Sequence, residues 1–288
     1  MQVTMLADAE ARPRRVAVGE FDGVHLGHRE VIAGNDTVLT FEPHPLAVVR
    51  PEAAPKLLTS LDVKAELIAG LGVQELVLIP FDEQFARQTP QEFIDHVLVQ
   101  RLCATHVSVG ENFRFGHRAA GDTDMLGADA RFETRVVRIV EVDGEIVSSS
   151  HIRALVSAGD VAHAARFLGA PFQMRGEVVT GDRRGRELGF PTANIVPDEA
   201  LICPGHGVYA ARAGGRCAAV SVGVRPTFGT GRAVLVEAYI LDFDDDLYGQ
   251  ELRIDFLARL RGERRFDAVE ALIEQMQLDV VQTRRLCG

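Results

Sequence analysis

The stretch VAVGEFDGVHLGHREVI, residues 16–32, decides the fold. Residues 16–19 have strand character and run into a glycine-bearing loop, after which a short helix begins near Leu26. His25 and His28 are three apart, so both can face one point at the start of that helix. Gly23 and Gly27 carry no Cβ and let a ligand approach the backbone closely. First-turn N–H groups have no partner inside a helix and carry partial positive charge. Two imidazoles beside them make a site for a phosphate, above all one gaining charge in a transition state. A lone H-x-G-H pair is as readily two satisfied surface histidines. Strand, Gly-rich loop, histidine pair and helix in that order favour the phosphate site.

Around this stretch the chain alternates strand and helix. Strands are predicted at 37–41, 76–79, 105–109 and 135–140. Helices are predicted at 61–71, after the capping box Thr89-Pro90-Gln91-Glu92, and from near Ser150. Such alternation implies a doubly wound parallel sheet. FDGVHLGH, FEPHP and GENFRFGH each follow the carboxyl end of a strand, and Ser148-Ser149-Ser150-His151-Ile152-Arg153 opens a helix. That edge of an open α/β sheet is where ligands bind.

Each loop also has a plainer reading. Ser148–Ser150 can be only an N-cap, although Arg153 in the first turn opposes the local dipole unless an anion is present. Asn112 can merely hold a turn, and Phe113 and Phe115 can be core. Alternate phenylalanines around Arg114 in a Gly-bounded loop instead fit a wall for a flat aromatic ligand. His44, between two prolines, fits a structural turn as well as a ligand contact.

With 288 residues the chain is long enough for two domains. Hydrophobic residues make up 47% and charged residues 25%, an ordinary globular composition. The formal charge of −10 argues against a general nucleic-acid or anionic-membrane surface. Lys56 and Lys64 are the only lysines, so arginine, the better bidentate phosphate partner, carries nearly all positive charge. No stretch has the length and apolarity of a membrane span, and the first residues lack an apolar signal core. The cysteines at 103, 203, 217 and 287 form no C-x-x-C pair, which disfavours a metal cluster or disulfide framework. The expectation is a cytoplasmic protein, monomeric or a small homo-oligomer.

The pattern changes near Gly169-Ala170-Pro171, which sets the expected domains at 1–168 and 169–288. Strands at 172–180, 207–213, 218–223, 234–241 and 251–258, separated by Gly- and Asp-rich turns, imply a small antiparallel barrel. A final helix over 267–286 has an apolar stripe that packs on it. The run GDRRGRELGFPTAN, 181–194, reads as a basic flap followed by Thr192 and Asn194, whose neutral oxygens suit a hard cation or phosphate. Glu237 is the only charge within 233–241 and shares a face with Leu235 and Tyr239. It is paired with a cation, kept as a general base, or simply turned outward.

Taken together, these residues resemble the bacterial bifunctional riboflavin kinase/FMN adenylyltransferase (FAD synthetase) family. GEFDGVHLGH, TFEPHP, VGENFRFG and SSSHIR are similar to its adenylyltransferase half. RGRELGFPTAN, VRPTF, VEAYILDF, DLYG and FLARLRGERRFD are similar to its kinase half. The resemblance implies a nucleotidyltransferase domain of α/β class followed by a β-barrel kinase domain with a C-terminal helix. It implies two reactions: riboflavin plus ATP gives FMN and ADP, and FMN plus ATP gives FAD and pyrophosphate. It implies that His25 and His28 stabilise the α-phosphate and that Glu237 takes the proton of the ribityl 5′-hydroxyl. ATP contacts are implied at Gly19, Phe21, Asp22, Gly23, Asn112, Ser149, Ser150, Arg153 and Gly185, with Mg²⁺–ATP at Thr192 and Asn194. Flavin contacts are implied at Phe41, Pro43, His44, Phe113 and Phe115.

Two departures from the family pattern stand out. Only residues 29–39 separate the G-H pair from T-F-E-P-H-P, where the family has about a turn or more of extra helix. His151 stands where the family carries arginine, exchanging a permanent cation for one mostly neutral at pH 7. A kinase-only enzyme and a flavin- or nucleotide-binding regulator are the alternatives. The second fits poorly with a retained base and phosphate stabilisers, which binding alone does not need.

Overall fold

Alternation along the strands builds two cores. Val16, Val18, Leu39, Phe41, Val77 and Ile79 join one buried cluster, whereas Ala17, Val38, Leu76 and Leu78 join another on the opposite face. Strands buried on both faces read as near-continuous apolar runs, which is why their sequence signal is strong. Residues 1–180, 190–226 and 232–288 are described by the structure, a computed structural model. The chain divides into two compact units, Met1–Ser149 and Ser150–Gly288.

In the first unit, β1 (Gln2–Met5), β2 (Arg14–Val18), β3 (Thr37–Glu42), β4 (Glu75–Pro80), β5 (Ala104–Gly110) and β6 (Glu133–Val137) form one sheet in the order β1-β4-β3-β2-β5-β6. All five neighbouring pairs are parallel. The direction of winding reverses at β2, so the carboxyl ends of β2 and β5 flank the switch point. The helices are α1 (Leu26–Ile32), α2 (Pro45–Val49), α3 (Leu61–Ala69), α4 (residues 90–101) and α5 (Thr123–Gly127). In α4 the capping box of Thr89 and Glu92 forms as predicted, and Phe93–Arg101 continues with wider, π-type spacing.

The doubly wound parallel sheet predicted from the alternation is therefore present, with three corrections. β1 is an added edge strand; only Thr4 of its four residues is buried, so it shows no apolar pattern. β6 spans Glu133–Val137 rather than 135–140. A small hairpin of β7 (Glu141–Val142) and β8 (Glu145–Ile146) follows it. The shortened segment after the histidines is closed economically. The Asn35 amide donates to the carbonyls of Val31, Ile32 and Ala33 at 3.0, 3.2 and 3.4 Å, finishing α1 before β3 begins.

One buried ion pair ties the sheet's far edge. Arg14, whose side chain is inaccessible to solvent, donates to Glu75 at 2.9 and 3.3 Å and to the Glu10, Arg12 and Leu102 carbonyls. Burial alone would raise the Glu75 carboxyl; the hydrogen bonds and charge of Arg14, then Arg12, overcome it and hold the pKa below the ordinary value.

The second unit begins at Ser150, within α6 (Ser149–Ala158), and continues with α7 (Val161–Leu168), helices that the sequence boundary at 168/169 assigns to the first domain. A closed barrel follows, of β9 (Phe172–Val179), β10 (Ala193–Ile195), β11 (Gly207–Ala213), β12 (Arg216–Pro226), β13 (Arg232–Ile240) and β14 (Glu251–Arg261). Its order is β10-β13-β12-β11-β14-β9, and β10 pairs with β9 to close the ring, all antiparallel. The barrel was expected with five strands. β10, three residues of Ala-Asn-Ile, is the addition, too short and too polar to register as a strand. The last helix, α8 (Val269–Cys287), is fastened to the barrel through Arg261–Asp279, Arg284–Asp242 and the Arg212 guanidinium on the Cys287 carbonyl.

Candidate functional site

Gly19 ends β2 by donating to the Leu39 carbonyl at 3.2 Å. A Cβ there would lie 3.1 Å from the Phe21 ring, so glycine lets that ring fold under the loop. Phe21 is 1% exposed and packs with Val24, Val31 and Ile32. It is a plug beneath the site, and its ring meets His28 edge-on at 5.4 Å.

Asp22 is spent on the loop itself. Its carboxylate accepts from the Leu58 N–H at 2.9 Å and the Thr59 N–H at 3.2 Å. The Gly23 N–H donates to the Thr59 hydroxyl at 3.1 Å, and the Ser149 hydroxyl to the Asp22 carbonyl at 2.9 Å. Gly23 has φ 83°, the left-handed backbone that glycine adopts without strain.

The loop delivers two imidazoles. His25 is the N-cap of α1, and its Nδ1 accepts the His28 N–H at 3.2 Å. In a neutral ring an accepting Nδ1 puts the proton on Nε2. The two rings stack at 3.5 Å with an interplanar angle of 17°. Gly27 makes room, since a Cβ there would come within 3.3 Å of the His25 ring. The His28 pKa is held well below the usual imidazole value, first by burial and then by the charge of His25 and Lys64. Its Nδ1 is buried and has no hydrogen-bond partner among the described residues. Two stacked rings at the switch point, His28 held neutral by burial, can accept an anion, and His28 can gain a proton as it arrives.

The flavin candidates divide. Phe41 and Phe115 are 8% and 6% exposed and belong to the sheet core. Phe113 is partly exposed and stacks on Phe115 at 5.6 Å. His44 caps α2 through Nδ1, accepting the Leu46 N–H at 3.1 Å, and Pro43 is exposed. Phe41, Phe81, Phe85, Phe93, Phe115 and Phe113 run ring to ring at 5.3–6.3 Å. Phe81 and Phe85 were missed by the sequence reading, although FDEQF also follows the carboxyl end of a strand, β4. Asn112 is exposed just beyond β5, its Oδ1 3.3 Å from where a Gly110 Cβ would stand. Ser150 lies in the first turn of α6, whereas Arg153, expected there too, is its fifth residue and falls in the second turn; both group with the second unit. His151 rests its ring on Phe167 at 5.0 Å and near His163 at 6.2 Å.

The barrel assembles a second constellation. Asn194 of β10 stands opposite Glu237 of β13, and Glu237 stands opposite Ser221 of β12. Directly paired residues share a face, so the three side chains form one row. Glu237 is half-buried, on the face that alternates with buried Val236, Ala238 and Ile240. Tyr239, two along, meets Phe190 edge-on at 5.1 Å. Asn194 is 5% exposed and donates through Nδ2 to the Thr192 carbonyl at 3.3 Å. Its Oδ1 is buried without a partner among the described residues, a carbonyl oxygen suited to a hard cation. Gly185 and the rest of GDRRGRELG lie outside the described residues.

Comparison with known proteins accounts for both units. Residues 7–151 match the FAD synthetase family model and residues 168–287 the riboflavin kinase family model. A bifunctional riboflavin kinase/FMN adenylyltransferase from Listeria monocytogenes is 40% identical, the match covering 93% of this chain and 91% of the relative. Proteins of the same description from Bacillus subtilis and Escherichia coli K12 are 36% and 34% identical, covering 92% and 95% of this chain and 89% and 92% of their own. A crystal structure from Streptococcus pneumoniae, described as a macrolide-efflux protein, superposes with a TM-score of 0.91 at 30% identity over 99% of both chains. No helix among the described residues here is long and apolar enough to cross a membrane.

Proposed function

The chain belongs to the bifunctional riboflavin kinase/FMN adenylyltransferase family, and from that premise we infer that each compact unit carries one of its two reactions. The protein phosphorylates riboflavin with ATP to give FMN, and transfers an adenylyl group from ATP to FMN to give FAD. Both are displacements at phosphorus, in which positioning and charge neutralisation dominate.

In adenylyl transfer, an oxygen of the FMN phosphate attacks the α-phosphorus of ATP, and the bond to the β-phosphate oxygen breaks. We assign to His25 a hydrogen bond from Nε2 to an oxygen of that phosphate. His28, neutral until an anion lies beside it, takes up a proton as charge accumulates there. The stacked pair at the start of α1 is the observation that carries this assignment. In phosphorylation, Glu237 takes the proton of the ribityl 5′-hydroxyl as it attacks the γ-phosphorus, and ADP leaves. Thr192 and the buried Oδ1 of Asn194 would hold Mg²⁺ arriving with ATP, since neutral oxygens suit a hard cation. The ion would neutralise charge on the β- and γ-phosphates. The remaining ATP contacts at Asn112, Ser149, Ser150 and Arg153, and the flavin contacts at Pro43, His44 and Phe113, are part of the same proposal. So are a cytoplasmic setting and a monomer or small homo-oligomer.

The test separates the two sites. Purified His28→Ala protein, given riboflavin, ATP and Mg²⁺, should accumulate FMN without FAD; Glu237→Gln protein should make FAD from supplied FMN but little FMN from riboflavin. Loss of both activities in either folded variant would overturn the assignment.

A further inference from the structure

Beyond β14 the chain is anchored twice. Arg261, the last residue of that strand, is bound to Asp279 of α8 at 2.8 Å. The Phe266 ring lies beneath the guanidinium groups of Arg261 and Arg264, at 5.8 and 5.7 Å. Between these anchors Glu263 reaches back to β12: a Cβ on Gly223 would stand 2.6 Å from its Oε1. Gly223 is outside the left-handed region, so space for that carboxylate, not backbone geometry, calls for glycine here. Gly223 is two residues along the strand from Ser221, and residues two apart share a face. Ser221 is directly opposite Glu237. The Glu263 carboxylate therefore lies on the face that carries Asn194, Glu237 and Ser221, diagonal to Glu237. Diagonal neighbours stand roughly 7–8 Å apart, a gap that long side chains and a bound chain can span.

Stability does not explain this placement. Two carboxylates on one face repel each other. His206 Nδ1 is 4.0 Å from the other Glu263 oxygen, Oε2, but the pair is about half exposed and of a kind that contributes little. We propose that Glu263 is a specificity-determining residue of the kinase site, whose carboxylate accepts hydrogen bonds from inner hydroxyls of the ribityl chain while the 5′-hydroxyl lies at Glu237. The shape of the substrate fits the two positions. Its reacting hydroxyl ends a chain that bears a hydroxyl on each neighbouring carbon, so an acceptor one diagonal step from the base meets oxygens farther along that chain. A carboxylate receives such donors in short, charge-assisted bonds. With Oε2 turned to His206, Oε1 is the oxygen that faces the row. The anchored segment sets the acceptor in place beforehand, which lowers the ordering cost of binding.

This rests on the assignment of Glu237 as the base of phosphorylation. The test compares riboflavin with a flavin whose side chain is a plain hydroxypentyl group, carrying the terminal hydroxyl and none of the inner ones. kcat/KM is measured for both with parent, Glu263→Ala and Gly223→Ala proteins; where turnover of the second flavin is too slow to follow, its Ki against riboflavin gives the same comparison. The parent should prefer riboflavin. Glu263→Ala should lower kcat/KM for riboflavin about tenfold, chiefly through KM, as expected for one lost hydrogen bond to a charged group. It should leave the hydroxypentyl flavin unchanged, which also shows that the barrel is intact. Gly223→Ala, which displaces the carboxylate, should shift the preference in the same direction. An equal loss with both flavins, or a parental preference in Glu263→Ala, overturns the proposal; if Glu263→Ala does not fold, the preference of Gly223→Ala decides. Glu237→Gln separates the two levels, because it should lower kcat with both flavins alike. A parental kcat in it would sink the base, whereas its loss beside an unaltered preference in Glu263→Ala would sink only the ribityl contact.

Discussion

Asn194 and Glu237 are directly opposed across the β10–β13 pair, one offering a buried, unpartnered oxygen and the other a half-buried carboxylate. A candidate cation ligand and a candidate base are thereby fixed by ladder register rather than by a loop. A primary alcohol is a weak nucleophile at neutral pH, so removing the base should be costly. Glu237→Gln is expected to lower kcat for riboflavin phosphorylation by roughly 10²–10⁴-fold, with modest change in either KM. Steady-state assays with riboflavin and ATP varied in turn measure both. A near-parental kcat would make Glu237 a structural strand residue.

The opposing residue should fail differently. Asn194→Ala removes the orphaned oxygen, so KM for Mg²⁺–ATP in phosphorylation should rise by about tenfold or more while FMN adenylylation is retained. Titrating Mg²⁺ at fixed ATP reads this directly. An unchanged Mg²⁺ dependence would exclude Asn194 as a ligand.

Gly27 offers a test of placement. A Cβ at 3.3 Å from the His25 ring obliges that ring to move by a few tenths of an ångström. Alanine is also the better helix former, so Gly27→Ala should leave thermal stability equal or higher. Adenylyl transfer should nonetheless fall severalfold, because small displacements of a positioned group are expensive. Stability and activity moving together would contradict this.

Glu75 gives a prediction about the fold. Glu75→Gln leaves the Arg14 guanidinium buried without its anion, a change that typically costs about 3–5 kcal/mol. The pKa of Glu75 is lowered in the folded state, so its contribution is present above the unfolded carboxylate value and lost as pH falls through the folded one. Urea unfolding should show the gap between parent and variant wide at pH 7 and narrowing in acid. A constant gap would mean the carboxyl's charge is not what stabilises the pair.

Where the sequence was informative, one kind of residue did most of the speaking. Strands β2 to β4 carry apolar residues on both faces, and Gly-bearing loops mark the carboxyl ends of β2 and β5, so the sheet and its ligand edge were legible. β1 and β10 were not, because each takes its place from pairing with strands remote in sequence and carries little apolar signal of its own. Within the site, the histidine spacing and the threonine–asparagine pair could be read from local geometry. Lys64 could not: in sequence it is a charged residue on an amphipathic helix, and only the fold leaves it 4% exposed, with its charge lowering the His28 pKa. Phe115 reads in sequence as core or as ligand wall alike, and only tertiary structure shows it 6% exposed and packed on Phe93.

Asp22 carries a warning for anyone screening this enzyme by mutation. Its carboxylate staples the loop to the backbone at Leu58 and Thr59. Replacing it would abolish FAD formation as thoroughly as removing a histidine, and a plate assay would score it as a catalytic acid. A melting curve, or protease cutting near residues 20–24, would expose the lesion as architectural. The most acidic letter in the motif is its rivet.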